Sequence, residues 1–303
     1  MLSLKIQASN ANASGFWEAV ARQSRVLLWL PALAFVLVFF LFPAALLLGH
    51  SVFVTHADTG AVHVSFSAYL GLLGSDLFIR VALTTLKIAV VSTLGCAVVA
   101  LPLALVIAYG GPFVGRLTLV LTVLPLLVSV IVRAYGWQLL LGNNQTGVLN
   151  WILHQLFASM PFRVPVVQLL YTQWAVVVAS IHVFLPLMVL PIAGSLGRVD
   201  PTVHAAAQML GANSVCTFWR VTFPLSLPGL LSGVGIVFSL TSSSYVIPSI
   251  LGGPGSMMLG NLLEQQMTTA YDWTRGGAIG VMTTVIAVGG LLVVRKFTPR
   301  RMR

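Results

Sequence analysis

Charged side chains are scarce in this sequence. Only 7% of the 303 residues are Asp, Glu, Lys or Arg, whereas a soluble domain usually carries about 25%. Hydrophobic residues make up 58% of the chain, and the mean hydropathy is +0.98. This composition excludes a soluble globular protein and predicts a chain that lies largely within a lipid bilayer.

Six apolar runs are long enough to cross about 30 Å of hydrocarbon as helices that rise about 1.5 Å per residue. The first run is longer than the apolar part of a signal peptide, so we expect it to remain as a helix. The sequence therefore predicts an all-α membrane protein with six transmembrane helices and both termini on one side. The predicted spans are 26–48, 81–109, 117–141, 166–196, 227–251 and 278–294.

The basic residues divide unequally between the two sides that this topology creates. One side receives Arg80, Arg163 and Arg275, and the other receives eleven basic residues. The positive-inside rule makes the richer side cytoplasmic, which gives an N-in, C-in protein. It also explains the net charge of +10 better than nucleic-acid binding, which needs clustered basic residues. We therefore predict a cytoplasmic segment 1–25, a transmembrane domain 26–294 and a basic cytoplasmic tail 295–303.

The motifs of ATP hydrolysis and of catalysis are missing. A phosphate-binding loop contains Gly-Lys-Ser/Thr, and none of the three lysines follows a glycine. None of the six acids falls within a predicted span, which disfavours an ion-coupled carrier. His182 has no acid nearby and is interpreted as a packing residue, while Cys96 and Cys216 have no metal-ligand spacing. We expect no catalytic site, metal or cofactor in this chain.

A polar loop at about 197–226 connects the fourth and fifth predicted spans on the cytoplasmic side. Asp200 followed by Pro201 is a typical helix opening, and Gly211 permits a sharp exit. A second short helix should follow and stop at Pro224. The loop is thus a helix-turn-helix knob, which either enters a groove of a partner or only folds back on its own helices.

This loop resembles the signature cytoplasmic loop of ABC importer permeases, in which Glu-Ala-Ala is followed by Gly and then by Ile-x-Leu-Pro. The resemblance implies a coupling helix that docks on an ATPase subunit and transmits its closure to the membrane helices. Ala205 stands in the place of the family's Glu, which leaves the charged contact of that Glu without a counterpart. The implied coupling residues are His204, Ala205, Ala206, Ala207, Gly211, Ala212, Val221, Phe223 and Pro224.

Further segments resemble the spermidine/putrescine-type branch of these permeases, at 84–87, 132–144, 245–254, 260–261 and 271–273. The resemblance implies the type I permease fold in a bacterial inner membrane. It also implies three kinds of partner: a second permease subunit, usually a paralogue; two cytoplasmic ATPases that bind ATP and Mg; and a periplasmic substrate-binding protein. A secondary transporter or a channel that acts without ATP is the alternative.

Polar residues within the spans are candidates for the substrate path. Hydroxyl groups suit a weak transit site because they carry no charge that must be buried, although such residues also bond back to their own helix. The aromatic candidates equally fit an interfacial belt. Related permeases transport polyamines and often carry an acid just before the tyrosine of the fifth helix. In this chain that position is Ser244, which leaves room for amino-acid, opine or aminophosphonate solutes. The candidate path residues are Tyr135, Trp137, Gln138, Thr241, Ser243, Ser244 and Tyr245.

Overall fold

The computed structural model describes residues 29–55, 62–144, 147–157 and 165–297. The predicted segment 1–25, Arg163 and most of the tail 295–303 lie outside these ranges. The elements in chain order are α1 (Trp29–Val52), β1 (Phe53–Thr55), β2 (Val62–Val64), α2 (Ser67–Leu73), α3 (Asp76–Tyr109), α4 (Pro112–Val123), α5 (Val130–Leu140), α6 (Val148–Leu156), α7 (Gln173–Leu196), α8 (Pro201–Met209), α9 (Ser214–Ser242), α10 (Val246–Leu251), α11 (Leu259–Glu264) and α12 (Trp273–Phe297).

Five of these helices are long and apolar enough to cross a membrane, namely α1, α3, α7, α9 and α12. A sixth crossing consists of α4 with its 3-10 continuation Leu124–Leu127, followed by α5, and this pair is bent by 101°. Antiparallel β1 and β2 form a short hairpin after α1. The structure therefore confirms the all-α membrane fold, with the sixth span present as a broken one.

The prediction of one continuous helix at 117–141 is wrong. Pro125 lies in the 3-10 turn, and the extended conformations of Val128 (ψ 134°) and Ser129 (ψ 141°) separate the two halves. A proline lacks the N–H of a regular helix, and neighbouring helices can satisfy the groups it frees. The bent pair still connects the two sides of the bundle. Helix α4 begins where α3 ends, and Asn143, just after α5, bonds to Leu170 near the start of α7. Because α3 and α7 run parallel, these two points lie on opposite sides.

The boundaries of the fifth span also differ from the prediction. Pro224 does not stop a short helix; the chain stays helical from Ser214 to Ser242. A π-helical stretch, Phe218–Thr222, precedes the proline, and its wider i to i+5 bonding accommodates the break in the regular pattern. The predicted span 227–251 is instead interrupted at 243–245, before α10.

The helix of the fourth predicted span, α7, starts later than predicted. Residues 165–172 are not helical, and α7 begins at Gln173, where the Thr172 side chain caps Ala175 N–H. The non-helical segment is held by the buried Asn150, whose side-chain amide donates to the carbonyl of Val167 and whose Oδ1 accepts from its N–H. Tyr171 in this segment has a φ of 64°, which is unusual for a residue with a Cβ.

Helices α3, α7 and α9 form the centre of the bundle. Helices α3 and α7 run parallel, because Lys87 contacts Gln173 near one end and Gly95 contacts Ile181 further along. Helix α9 runs antiparallel to α7. Helix α12 packs on α9, and α1 packs on α12 with its apolar surface open to the surroundings. Buried Met188, Ile192 and Leu196 of α7 lie in this core.

The crossing of α7 and α9 depends on a glycine. A Cβ at Gly229 would meet the backbone oxygen of Pro191 and would lie 2.7 Å from Ile192 Cα. We expect Gly229→Val to separate the two helices and to destabilise the protein by about 1–3 kcal/mol. The measurement is the thermal unfolding midpoint of the detergent-purified protein. Gly194→Val on exposed α7 surface, where a Cβ meets nothing within 4 Å, is the control and should change it little.

Candidate functional site

Helix α8 is the first helix of the cytoplasmic loop, and the structure confirms where it was predicted to begin. Asp200 is the N-cap, and its Oδ1 accepts a 2.8 Å hydrogen bond from the Thr202 N–H. This backbone bond, with a weaker side-chain contribution from Thr202, holds the pKa of Asp200 below its usual range. A charged cap therefore faces the positive end of the helix at neutral pH.

The turn after α8 requires Gly211. Its φ is +81°, a left-handed conformation that residues with a Cβ rarely adopt. Gly211 N–H donates to Gln208 O at 2.9 Å, and Ala212 N–H donates to Ala207 O at 3.1 Å, which is the hydrogen-bond pattern of a Schellman motif. Asn213 then caps α9. The loop is therefore a rigid helix-turn-helix rather than a flexible connection.

The turn of this loop exposes large apolar side chains. Met209 and Leu210 are each 89% exposed, at the turn itself, and Val215 and Trp219 on the first turns of α9 are exposed as well. We call Met209, Leu210, Val215 and Trp219 the apolar tip. Sequence reasoning did not single out these residues; two large apolar residues directly before the Gly turn were the available signal. Large apolar side chains exposed on a loop outside the membrane are typical of an interaction surface.

The inward surface of the loop packs on the protein's own helices. His204 Nε2 lies 3.1 Å from Thr222 Oγ1, and its ring meets the edge of Tyr109. Val221, Phe223 and Pro224 are half-buried, whereas Ala205 and Ala206 are exposed. The loop therefore folds back on its own helices through this face, and docking of the exposed turn in a groove of a partner stays a prediction.

The candidate path residues at the end of α9 are placed differently from one another. Thr241 is fully buried and its Oγ1 donates to Val237 O at 2.8 Å, which favours the packing interpretation for this residue. Ser243 is exposed, although its hydroxyl also bonds back to Ser239 O. Ser244 is half-buried and Tyr245 is exposed. The polar group that reaches the surface is therefore Ser243 to Tyr245, at the interruption of the span.

The aromatic candidates lie on α5, which packs against α10, so the structure brings the two predicted groups onto neighbouring elements. Tyr135 is exposed. Gln138 lines an open cleft of about 540 Å³ together with Asn143, Asn144 and Tyr171, and its amide donates to Tyr171 Oη at 3.5 Å. Trp137 instead turns into the protein.

Trp137 pairs with His182, which has no acid near it in the sequence. Its Nε1 donates to His182 Nδ1 at 3.2 Å, and the rings meet edge to face. One helical turn earlier on α5, Arg133 Nη1 donates to Val183 O at 3.3 Å, near the middle of α7. These contacts attach the second half of the broken span to α7.

Within the described ranges, no group of three His, Cys, Asp or Glu residues could hold a metal.

The fold and the loop define the class of protein. A bundle of membrane-spanning helices that exposes large apolar side chains on its basic side is typical of a multi-pass membrane protein with an interaction surface on that side. Residues 100–303 match the family model described as "Binding-protein-dependent transport system inner membrane component". The chain belongs to this family and is an inner-membrane permease of the ABC importer class.

Relatives of known name agree with this assignment. The spermidine/putrescine permease PotB of Escherichia coli K12 is 30% identical over 262 residues, which are 85% of this chain and 92% of PotB. The putative 2-aminoethylphosphonate permease PhnU of Salmonella typhimurium LT2 is 28% identical over 278 residues, covering 90% and 92%. The predicted resemblance to the spermidine/putrescine-type branch is confirmed.

A solved structure confirms the fold. The crystal structure of a bacterial ABC transporter involved in the import of the polysaccharide alginate contains a chain that matches 94% of this protein, with a TM-score of 0.71 at 17% identity. The match covers 99% of that chain. The predicted type I permease fold is therefore confirmed.

Proposed function

We propose that this permease forms one half of a translocation path for a small polar solute, and that the loop formed by α8 and the start of α9 couples it to a separate ATPase. The partners would be a second permease subunit of different sequence, two cytoplasmic ATPases that hold ATP and Mg, and a periplasmic binding protein. The chain lacks Gly-Lys-Ser/Thr, so ATP hydrolysis would belong to those subunits.

The observation that carries this proposal is the exposure of Met209 and Leu210. Each is 89% exposed, and the Schellman bonds around Gly211 hold both in one orientation. A rigid apolar projection of this kind binds well in a groove, because little conformational freedom is lost on docking. Exposed Ala205 and Ala206 beside it allow a close backbone approach. The loop therefore has the shape and the chemistry of a docking element.

Helix α9 would carry the movement from the loop to the path. It runs without interruption from Ser214, beside the apolar tip, to Ser242, a distance of about 40 Å at about 1.5 Å per residue. Its far end is the interruption at 243–245, where the candidate path residues lie. A displacement of the loop would thus reach Ser243, Ser244 and Tyr245 through one rigid element.

The interruption after α9 is a suitable place for solute to pass. Non-helical backbone within a membrane is tolerated only where protein or a water-filled cavity surrounds it. Ser244 and Tyr245 are held there by α11, because Gly260 lies against Ser244 and the Asn261 amide donates to Tyr245 O at 3.1 Å. Exposed Tyr135 and Gln138 on neighbouring α5 would extend the same path outward.

The solute would be a small amine-bearing molecule. PotB is named for spermidine and putrescine, and PhnU for 2-aminoethylphosphonate, so an amino group is common to the solutes of both relatives. Ser244 offers no negative charge to a polyamine, and this favours an amino-acid, opine or aminophosphonate solute, whose acidic group balances its amine. Most of the selectivity would come from the binding protein.

The direct test is to tag this chain, extract it gently from its native membrane and identify the co-purifying proteins by mass spectrometry. We expect a P-loop ATPase and a second permease of different sequence, each in a fixed ratio to the tagged chain. Recovery of this chain alone, or only with copies of itself, would contradict the proposal and would favour a channel or a secondary carrier.

A further inference from the structure

The contacts of His204 suggest a second route by which movement of the loop reaches the membrane helices. We propose that His204 is a positioning residue that ties α8 directly to the ends of α3 and α9, so that α8 moves both helices together. This inference rests on the proposed coupling role of the loop and assigns the transmission step within it to one side chain.

The first contact joins α8 to α9. His204 Nε2 and Thr222 Oγ1 are 3.1 Å apart, and Thr222 is a buried residue of the π-helical stretch. The hydroxyl can donate or accept, so the bond is available to either neutral tautomer of the histidine. Because the covalent route from α8 to α9 passes through the Gly211 turn, this bond shortens the path and bypasses that turn.

The second contact joins α8 to α3. The rings of His204 and Tyr109 meet edge to face, with centroids 5.0 Å apart and an interplanar angle of 62°. Tyr109 is the last residue of α3 and is followed by the turn into α4. A displacement of α8 therefore reaches the end of α3 and the start of the broken span.

The other side chains of α8 offer no equivalent link. Ala205, Ala206 and Ala207 carry no polar group, and Met209 faces outward. From Thr202 to Met209, within the described residues, His204 alone makes a side-chain hydrogen bond to another helix. The chain also has Ala205 in the place of the family's Glu, and the neighbouring His204 supplies a polar anchor one residue earlier.

The test measures transmission without the solute. The purified complex carries Ser243→Cys, labelled with an environment-sensitive maleimide fluorophore, in a background with Cys96→Ala and Cys216→Ser. ATP and orthovanadate then trap the ATPase in its closed state. We expect trapping to change the fluorescence at Ser243 in the parent complex, and His204→Ala to reduce the amplitude about tenfold while trapped nucleotide per complex stays the same.

Three further variants separate transmission from general damage. His204→Gln, which keeps a hydrogen-bonding group, should restore most of the amplitude. As a single variant, Thr222→Val should reduce the amplitude. Combined with His204→Ala it should reduce the amplitude little further, since both changes remove the same bond. Gln208→Ala, on the exposed face of α8, should behave like the parent complex.

An unchanged amplitude in His204→Ala would overturn the proposal. So would an equal loss of trapped nucleotide, because His204 would then maintain docking or folding of the loop and not transmission. Absence of a response at Ser243 in the parent complex would exclude α9 as the carrier of the movement. Failure of the complex to contain any ATPase would instead contradict the proposed function, and that result appears at purification.

Discussion

Replacing Met209 and Leu210 together by aspartate should release the ATPase from this permease. Both side chains are almost fully exposed at the turn after α8, so the change removes apolar contacts with the partner without removing contacts inside the protein. An interface anchor commonly contributes about 2 kcal/mol or more, and burial of two unpaired carboxylates adds a further penalty. We expect at least about a hundredfold loss of affinity, measured as ATPase recovered per tagged chain.

The matched control exchanges the two residues, as Met209→Leu with Leu210→Met. It retains the apolar surface and should retain the ATPase. Normal insertion of both double variants, shown by equal amounts of the chain in washed membranes, excludes a folding defect. Undiminished recovery of ATPase with the aspartate variant would show that the apolar tip is not the docking surface.

Gly211→Trp should abolish ATP-driven uptake while leaving membrane insertion intact. A Cβ at Gly211 would meet nothing within 4 Å, so the indole would project into the space where the partner docks. The φ of +81° adds about 1–2 kcal/mol of backbone strain for a residue with a Cβ. Uptake is measured with the solute that co-purifies with the associated periplasmic binding protein.

Two smaller replacements separate bulk from strain at the same position. Asparagine tolerates the left-handed conformation better than most residues, so Gly211→Asn should transport nearly normally. Gly211→Ala carries the strain without the bulk and should be intermediate. If Gly211→Trp transports like the unmodified protein, this surface does not take part in coupling.

The spans and the loop could be predicted because they depend on local composition. Hydropathy located all six crossings, and Asp200, Pro201 and Gly211 marked the limits of α8. The interruptions could not be predicted in the same way. A proline is a local signal for a helix end, yet α9 continues through Pro224 after a π turn, while the third span breaks beyond Pro125. Packing against neighbouring helices determines which outcome occurs.

Candidate site residues could be predicted where they lie close together in the sequence, as in the loop around α8. They could not be predicted where residues far apart in the sequence meet in the fold. His204 and Thr222 are 18 residues apart, Trp137 and His182 are 45 apart, and Arg133 and Val183 are 50 apart. No periodicity relates such pairs. Exposure cannot be predicted from the sequence either, because Met209 and Leu210 are residue types that usually lie in a protein core, and only the fold shows that none of the described residues covers them.

Photo-cross-linking tests the claim that the apolar tip of this permease binds an ATPase. Leu210→Cys, in a background without Cys96 and Cys216, is labelled with a benzophenone maleimide and illuminated in native membranes; Val98→Cys, on exposed α3 surface, is the control. We predict adducts with a P-loop ATPase from position 210 and none from position 98. Adducts from position 210 only with lipid or with other copies of this chain would contradict the claim.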